Sequence, residues 1–391
     1  MDMKIKGVNL GGWLVLEKWM APQVFRGTQA DDEYYLAQDL PNDIYQDRIA
    51  GHRSEFISER DFVDIAARGF NMVRIPVPYF IFGDRPPFIG CIDELDRAFT
   101  WAEHYDLKIL IDLHTVPDSQ NGFDNGGISG VCKWAQEPEE IDFALTVLER
   151  LSQRYGQRSG LFGIEVLNEP IGKKMWKTMD VPNRYPARDP QKAAGSQPIS
   201  LSFLSGFYLK AYQRISINLA ADKIVVFHDG FELNAWEDFF RQHRFNNVML
   251  DTHQYLMTAE ADGITQTVDS YIAYIQKLKS QITEVQKYVP VFVGEWTLFN
   301  SYAVGTDTQG GRNALQVDFN HSHKLTASEL REVYQTLWQT QTEAWDEGVG
   351  YFYWTYKLLI DTVNDSGWYG WDSWDVSRAF NKGWITKNKE I

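Results

Sequence analysis

The sequence has little cysteine, no long apolar run and no leader-like amino terminus. Its two cysteines, Cys91 and Cys132, show no CxxC spacing, which excludes a disulfide framework and favours two buried or idle thiols. No run of about 18 apolar residues is available to cross a membrane. Residues Met1–Gly7 lack the apolar segment of a secretion signal. We therefore expect a cytoplasmic protein without membrane contact, or a secreted one if a leader has been removed.

Positive charge is also scarce. The chain of 391 residues has 38 Lys and Arg against 53 Asp and Glu, which gives a formal charge of −15. This excess of negative charge would repel the phosphates of DNA or RNA. We therefore do not expect a nucleic-acid partner.

Two cofactor signatures are absent. Two glycines follow the first apolar run, but Trp13–Leu16 comes next instead of the helix start of a dinucleotide-binding turn. Metal-dependent barrel hydrolases commonly take an HxH pair from their first strand, and Ile5–Leu16 contains no histidine. His114 and His253 have no second histidine two or four residues on. We expect neither a cofactor nor a metal ion.

Apolar and aromatic residues, by contrast, are plentiful. Hydrophobic residues make up 44% of the chain, enough for a sizeable core, and aromatic residues make up 14%. Most of the 14 tryptophans and 19 tyrosines are expected to pack helices against a sheet. Some would suit a groove that binds sugars.

Strand-like apolar runs alternate with helical patterns along the whole chain, which indicates a parallel sheet with crossover helices. Eight such strand–helix units predict an α/β fold, a single (β/α)₈ barrel spanning residues 1–391 as one domain. A doubly wound sheet is the competing interpretation, but it would need the missing glycine-rich turn. The predicted strands are Ile5–Asn9, Met72–Val77, Lys108–His114, Phe162–Asn168, Ile224–His228, Val248–His253, Val289–Gly294 and Val349–Trp354.

Helices are predicted between these strands from the spacing of apolar residues. Thr326, with Glu329 three residues on, is typical of a capping box at a helix start. The predicted helices are Ser58–Arg68, Ile92–Tyr105, Pro138–Tyr155, Ile199–Leu219, Asn234–Gln242, Tyr271–Tyr288, Thr326–Asp346 and Trp374–Asn381.

Three connections are longer than an ordinary strand-to-helix loop. They are Trp13–Glu55 after strand one, Val116–Glu137 after strand three and Ile171–Pro198 after strand four. Long loops at the carboxyl ends of barrel strands usually build the substrate pocket. The third is locally basic, which favours a solvated rim over contact with an anionic substrate.

Polar side chains cluster at or just past the predicted carboxyl ends of six strands. This is the end at which barrels place their chemistry. Each residue alone could be structural, as an ion-pair partner, a core histidine or a packing tryptophan; the joint pattern favours a site. The set comprises Arg74, His114, Asn168, Glu169, His253, Tyr255, Glu295 and Trp354.

Two glutamates in this set suit hydrolysis of a glycosidic bond. Retaining enzymes place two carboxyl groups about 5–5.5 Å apart, one as acid/base and the other as nucleophile. Glu169 suits the acid/base role if its surroundings raise its pKa. Glu295 suits the nucleophile, kept ionised by hydrogen bonds and positive charge, for which Arg74 and Tyr255 are candidates.

These residues and their order resemble glycoside hydrolase family 5 of clan A over nearly the whole chain. Asn168-Glu169-Pro170 is similar to the family's motif at strand four, and Glu295 to its nucleophile at strand seven. The resemblance implies that five further residues of the set shape the substrate site: Arg74, His114, His253, Tyr255 and Trp354.

Within the family, the chain resembles most the fungal-type exo-β-1,3-glucanases. Gly7–Trp13, followed by Leu16-Glu17, is similar to their amino-terminal motif, and Ser119–Asn125 to their strand-three loop. The resemblance implies that Glu17 and Asp124, with Asn125 beside them, hold a terminal glucose. It further implies exo-acting release of that glucose from β-1,3-glucan or related oligosaccharides.

Two regions depart from that group. Gly126–Trp134 and Ile171–Pro198 differ, and both would lie on the aglycone side. One alternative is therefore an intracellular β-glucosidase acting on 1,6-linked or aryl disaccharide β-glucosides. A second alternative is a sugar-binding barrel without turnover, which the presence of both glutamates disfavours.

Overall fold

Eight parallel strands close into a barrel in the computed structural model, which describes residues 4–307, 325–362 and 371–385. Each strand pairs with its neighbours in chain order, and β8 pairs with β1. The predicted (β/α)₈ barrel is therefore confirmed. The strands are β1 (Ile5–Asn9), β2 (Met72–Val77), β3 (Lys108–Leu113), β4 (Leu161–Glu165), β5 (Ile224–His228), β6 (Val248–His253), β7 (Val291–Glu295) and β8 (Gly350–Tyr353).

Helices cover the outside of the barrel and extend the loops at its carboxyl end. They are α1 (Glu33–Asp39), α2 (Asn42–Phe56), α3 (Glu59–Ala67), α4 (Ile92–His104), α5 (Pro138–Tyr155), α6 (Lys173–Thr178), α7 (Val181–Arg184), α8 (Pro190–Ala193), α9 (Leu201–Ile215), α10 (Glu237–Gln242), α11 (Leu256–Ala261), α12 (Val268–Val285), α13 (Ser301–Asp307), α14 (Ala327–Trp345) and α15 (Val376–Asn381). Within the described residues, none of the helices is both long and apolar enough to span a membrane.

Local sequence signals explain several helix starts. Thr326 and Glu329 form the predicted capping box at α14, in which each side chain accepts the other residue's backbone N–H. Ser58 and Asp61 form a second box at α3. The helix predicted from Tyr271 begins three residues earlier, because the side chain of Thr267 accepts the N–H of Ser270 and caps α12.

The predicted bounds of β4 are wrong at the carboxyl end. The strand ends at Glu165, so Asn168 and Glu169 lie in the following connection. Glu169 has a φ of 44°, a left-handed conformation that no strand contains, and Pro170 follows it. The strained turn directs the Glu169 side chain over the end of the barrel.

The long connections contain helices that the sequence patterns did not predict. Helices α1 and α2 lie in the connection after β1, and α6, α7 and α8 lie in the basic connection after β4. Two basic side chains of the latter pair with acidic residues of neighbouring loops, Arg188 with Asp39 at 2.6 Å and Lys192 with Asp118 at 2.5 Å. This connection therefore forms a rim tied by ion pairs.

The interior of the barrel has two layers. Toward the amino ends of the strands lies an apolar layer: Ile5, Met72, Leu110, Phe162, Ile224, Val226, Met249, Phe292 and Phe352. A Cβ at Gly7 would come 2.2 Å from the ring of Phe352, so glycine is needed there to admit that ring. Above it lies a polar layer, defined as Asn9, Arg74, Asp112, Glu165, Asp251 and Glu295. These six side chains are at most 2% exposed.

Candidate active site

Glu169 and Glu295 face each other at the carboxyl end of the barrel. One is in the turn after β4 and the other is the last residue of β7. An oxygen of each carboxylate lies within 4.8 Å of the other. This limit on the nearest oxygens is compatible with the carboxyl separation of about 5–5.5 Å in retaining glycosidases.

Arg74 is the centre of the polar layer beneath this pair. Its guanidinium donates to Glu165 Oε2 at 2.7 Å, to Glu295 Oε1 at 2.9 Å and to Asn168 Oδ1 at 2.8 Å. Burial opposes its charge, but Asp112 and the surrounding carboxylates outweigh burial and raise the Arg74 pKa well above its ordinary value. Arg74 therefore fixes the orientation of both strand ends from below without lining the cleft.

The carboxylate of Glu295 is held from two sides. Tyr255 donates its hydroxyl to Oε2 at 2.7 Å, while Arg74 donates to Oε1. Burial still raises the pKa of Glu295 above its usual value, and the nearby Glu169 carboxylate adds to this, against the pull of His253 and Arg74. The two contacts predicted from sequence are present, but they do not overcome burial.

Glu169 differs from the expectation in one respect. Burial works to raise its pKa, but His253 Nδ1 at 2.8 Å and Asn125 Nδ2 at 3.0 Å donate to its two oxygens. These bonds, and the charge of His253, lower the Glu169 pKa below its usual value. The condition set for the acid/base role, a raised pKa, is therefore not met, because the hydrogen bonds favour the anion more than burial disfavours it.

His253 lies beside Glu169, and its pKa shifts in the opposite direction. Its ring lies between Glu169 and Asp251, whose Oδ2 is 3.4 Å from Nε2. Burial disfavours the imidazolium, but Glu295, Asp251 and Glu169 outweigh burial and raise the His253 pKa well above its usual value. A Cβ at Gly294 would come 1.9 Å from Asp251 Oδ2, so only glycine lets Asp251 take this place.

The remaining predicted residues at the strand ends form the floor. His114 Nδ1 lies 2.6 Å from Asp112, and its ring stacks on Trp354 at 5.7 Å between ring centres. Gln120 donates to the carbonyl oxygens of His114 and Asn168 at 2.8 Å each, which ties the loop after β3 to the turn after β4. His114 and Asn168 are fully buried and support the cleft rather than line it.

A cleft lined by both glutamates lies at this end of the barrel. The loops after β1 and β3 bring Glu17 and Asp124 into its lining. Burial, and next the Asp124 carboxylate, raise the pKa of Glu17 well above its usual value. Burial raises the pKa of Asp124 to about 6. Two carboxyl groups in the lining suit hydrogen bonding to a pair of hydroxyls.

Most apolar cleft residues were missed by sequence reasoning, Tyr255 and Trp354 excepted. The missed residues lie outside the strand ends, where no periodic pattern marks them. One group, called here the insert wall, comprises Phe123, Met175, Met179 and Tyr185; a second group, called here the tryptophan wall, comprises Trp19, Tyr255, Met257, Trp354 and Trp374. The high aromatic content was the one signal that indicated such walls.

Two sets of buried acids and histidine in the described residues are close enough together to hold a cation: Glu165, Asp251 and His253, and Glu169, His253 and Glu295. Arg74, His253 and Tyr255 already direct N–H and O–H groups at these carboxylates. Carboxylates that already accept these hydrogen bonds are better suited to proton transfer than to metal binding.

Known proteins match this chain along most of its length. The profile of the Cellulase family (glycosyl hydrolase family 5) matches residues 46–199. The "Probable glucan 1,3-beta-glucosidase A" of Emericella nidulans is 32% identical over 95% of this chain and 88% of its own. The "Glucan 1,3-beta-glucosidase" of Kluyveromyces lactis is 31% identical over 98% of this chain and 88% of its own.

Solved structures agree on the fold. The rutinosidase from Aspergillus niger superposes with a TM-score of 0.73 over 98% of both chains at 21% identity. The sequence relatives, the matching profile and the barrel with its paired glutamates all lead to one assignment. This chain belongs to glycosyl hydrolase family 5.

Proposed function

We propose that the protein is a retaining, exo-acting β-glucoside hydrolase that removes terminal glucose from β-1,3-glucan or related oligosaccharides. The observation that carries the proposal is the close approach of Glu169 and Glu295 in a cleft that Glu17 and Asp124 also line. The names of the relatives, which are glucan 1,3-beta-glucosidases at 30–32% identity, support the linkage.

The reaction proceeds by double displacement. Glu295, held by Arg74 and Tyr255, attacks the anomeric carbon and forms a covalent glucosyl–enzyme. The departing oxygen takes a proton from Glu169. A water then attacks the same carbon as Glu169 removes its proton, and glucose leaves with its original β configuration.

We assign to His253 the supply of the proton for the first step. His253 Nδ1 lies 2.8 Å from Glu169 Oε1, and, against burial, the neighbouring carboxylates raise the His253 pKa well above its usual value. A substrate that excludes water from Glu169 favours its neutral form, so the proton moves to the carboxylate and from there to the leaving oxygen.

We attribute exo action to two carboxyl groups in the cleft lining, Glu17 and Asp124. Trp19 Nε1 donates to Glu17 Oε2 at 2.9 Å and fixes that side chain. The oxygens of both carboxyl groups would hold hydroxyls of a terminal glucose. An open groove would carry such residues on both sides of the scissile bond.

The test is the product profile on laminaritriose, followed by proton NMR from the first minutes. We expect glucose as the first product, in the β configuration before mutarotation. α-Glucose, or initial release of laminaribiose from longer chains with no glucose, contradicts the proposal.

Azide rescue assigns the two glutamates. Glu295→Ala with azide is expected to give α-glucosyl azide, and Glu169→Ala with an activated aryl glucoside and azide is expected to give β-glucosyl azide. The matched control is Glu55→Ala, because Glu55 is exposed on α2. Turnover of the Glu295 variant equal to that of this control would refute the assignment.

A second candidate keeps the chemistry and changes the linkage to 1,6-linked or aryl disaccharide glucosides. It is favoured by the insert after β4, which contributes Met175, Met179 and Tyr185 to the cleft lining. Relative kcat/KM on laminaribiose, gentiobiose and aryl rutinosides decides between the two. The higher value on laminaribiose is expected for the first.

A further inference from the structure

The side-chain amide of Asn125 can face Glu169 in two ways, and the structure shows one of them. Its Nδ2 donates to Glu169 Oε2 at 3.0 Å. Together with His253, this hydrogen bond opposes burial and lowers the Glu169 pKa. An amide turned by half a rotation would present its oxygen instead, which favours the protonated acid. The orientation of this amide therefore decides which form of Glu169 it stabilises.

Asn121 holds the other end of the same amide. Its Nδ2 donates to Asn125 Oδ1 at 3.2 Å. While the NH₂ group of Asn121 points at Asn125, the oxygen of Asn125 has to face it, and the NH₂ group of Asn125 is left for Glu169. Asn121 is fully buried and, unlike Asn125, does not belong to the cleft lining. It acts on the site only through its neighbour.

The amide of Asn121 is oriented in turn by donors. Its Oδ1 accepts the backbone N–H of Phe123 at 2.9 Å, and a backbone N–H can only donate. Ser119 Oγ accepts the N–H of Gly122 at 3.0 Å and donates its own proton to Asn121 Oδ1 at 3.3 Å. The oxygen of Asn121 is thus fixed on this side, and its NH₂ group is fixed on the side of Asn125.

Gly126 makes room for this arrangement. A Cβ at this position would come 2.3 Å from Ser119 Oγ and 2.4 Å from Asn121 Oδ1. Any side chain there would displace both groups. The loop after β3 therefore excludes a side chain directly after Asn125, where one would disturb the hydrogen bonds that orient the amide.

The fixed orientation matters most when Glu169 is protonated. An ionised Glu169 attracts the NH₂ group of Asn125 by itself. A neutral Glu169 also offers an O–H, and a freely rotating amide would turn its oxygen to accept that proton. Held with its N–H toward Glu169, Asn125 leaves the proton for the departing oxygen. It also stabilises the carboxylate that forms as the proton leaves.

We propose that Asn121 is a positioning residue for acid catalysis, which holds an N–H group of Asn125 against Glu169 in both protonation states of the acid. The inference rests on the proposed β-glucoside hydrolase function. It adds to the site a buried residue outside the cleft lining and gives the loop after β3 a part in proton transfer.

The test compares a substrate that needs a proton from Glu169 with one that does not. Laminaribiose is a poor leaving group and requires protonation, whereas 2,4-dinitrophenolate departs from its β-glucoside without it. Asn121→Asp keeps the side-chain shape and an oxygen for the Phe123 N–H, but replaces the NH₂ group by an acceptor. We expect kcat/KM on laminaritriose to fall at least about tenfold, and kcat/KM on the dinitrophenyl glucoside to stay within about twofold.

A purely structural role for Asn121 predicts a different result. The same loop carries Asp124, so damage to its fold would weaken glucose binding and lower kcat/KM on both substrates. Equal falls on the two substrates therefore contradict the inference. The matched control is Asn42→Asp, the same chemical change at an exposed position of α2, which is expected to keep both values.

A double-mutant cycle with Asn125→Ala separates action through Asn125 from a direct effect of the new charge on Glu169. If Asn121 acts through Asn125, adding Asn121→Asp to Asn125→Ala lowers kcat/KM on laminaritriose by less than about twofold more. Two effects that multiply would show that Asn121 acts by another route and would overturn the inference.

A second variant covers a loss of stability. If Asn121→Asp melts at a lower temperature than the control, Asn121→Ala replaces it without adding charge. This variant is expected to lower kcat/KM at least about threefold, on laminaritriose only. Absence of hydrolysis of both substrates by the unaltered enzyme would refute the proposed function. Hydrolysis of both, with a ratio that neither variant changes, would refute only the role of Asn121.

Discussion

Leu110 and Asp112 lie two residues apart on β3, and both point into the barrel, yet they belong to opposite environments. Leu110 lies in the apolar layer with side chains from all eight strands. Asp112 lies in the polar layer, where it contacts Arg74 Nη2 at 3.1 Å and His114 at 2.6 Å. One residue pair along a strand separates a packed core from an ionic network.

The two layers differ in how they respond to the substitution of a side chain. The apolar layer is non-directional, so its stability follows the volume that its side chains fill. The polar layer is directional: one arginine neutralises several carboxylates, and each carboxylate in turn holds a group of the site. A loss in the first layer leaves a cavity, whereas a loss in the second leaves buried charge.

Arg74→Met breaks the polar layer at its centre and gives the largest expected effect. The carboxylates of Asp112, Glu165 and Glu295 lose their shared cation, so the free energy of unfolding falls by about 3–5 kcal/mol. Activity is lost as well, because Glu295 becomes protonated. Urea unfolding with kcat/KM on an aryl glucoside measures both. Retained stability would contradict the role given to Arg74.

Leu110→Ala tests the apolar layer, two residues before Asp112 on β3. The buried cavity is expected to lower the free energy of unfolding by about 3 kcal/mol. The kcat/KM per folded molecule stays within about twofold, because the site rests on the layer above it. A large kinetic defect in this variant would show that the two layers are coupled more strongly than their contacts indicate.

Tyr255→Phe removes one hydrogen bond from the upper edge of the polar layer. Loss of a bond to a charged carboxylate lowers kcat/KM roughly 10- to 100-fold. The bond favours the anion, so its removal raises the Glu295 pKa further, and the acid limb of the pH profile moves to higher pH. The pH dependence of kcat/KM checks the shift. An acid limb that stays in place would assign it to another group.

The sequence predicts those features of the two layers that depend on residues close together in the chain. The strands of the barrel were predictable because short apolar runs are local, and β1, β2, β5 and β6 have the predicted bounds. The set of polar residues at strand ends was predictable because parallel strands bring their carboxyl ends to one side. Both inferences need only the residue's place along its own strand.

Contacts between side chains of distant strands could not be predicted from such local patterns. Glu165 was visible as a charge inside an apolar run, but its partner Arg74 lies 91 residues earlier and meets it only when the barrel closes. The lowered Glu169 pKa depends likewise on contacts with His253 and Asn125. The insert wall was missed because Met175 lies in a short polar helix and Met179 just after it, where too few residues show a periodic pattern.

Asp251→Asn gives the smallest expected effect and separates charge from structure within the polar layer. The asparagine keeps an oxygen for the N–H of Gly294, which Asp251 accepts at 2.7 Å, so the backbone of β7 is retained. The negative charge beside His253 is lost, and an opposite charge favours the imidazolium. The His253 pKa therefore falls, and the basic limb of kcat/KM moves down by about one pH unit.

The matched control for that variant is Asp112→Asn. Asp112 and Asp251 both lie near Arg74, at 3.1 Å and 3.8 Å, but of the two only Asp251 contacts His253. If His253 holds the proton that reaches Glu169, the basic limb moves in the Asp251 variant and stays in the Asp112 variant. Asp112 contacts His114 instead, at 2.6 Å. Equal shifts in both variants would mean that Arg74 or His114, and not His253, transmits the charge to the site.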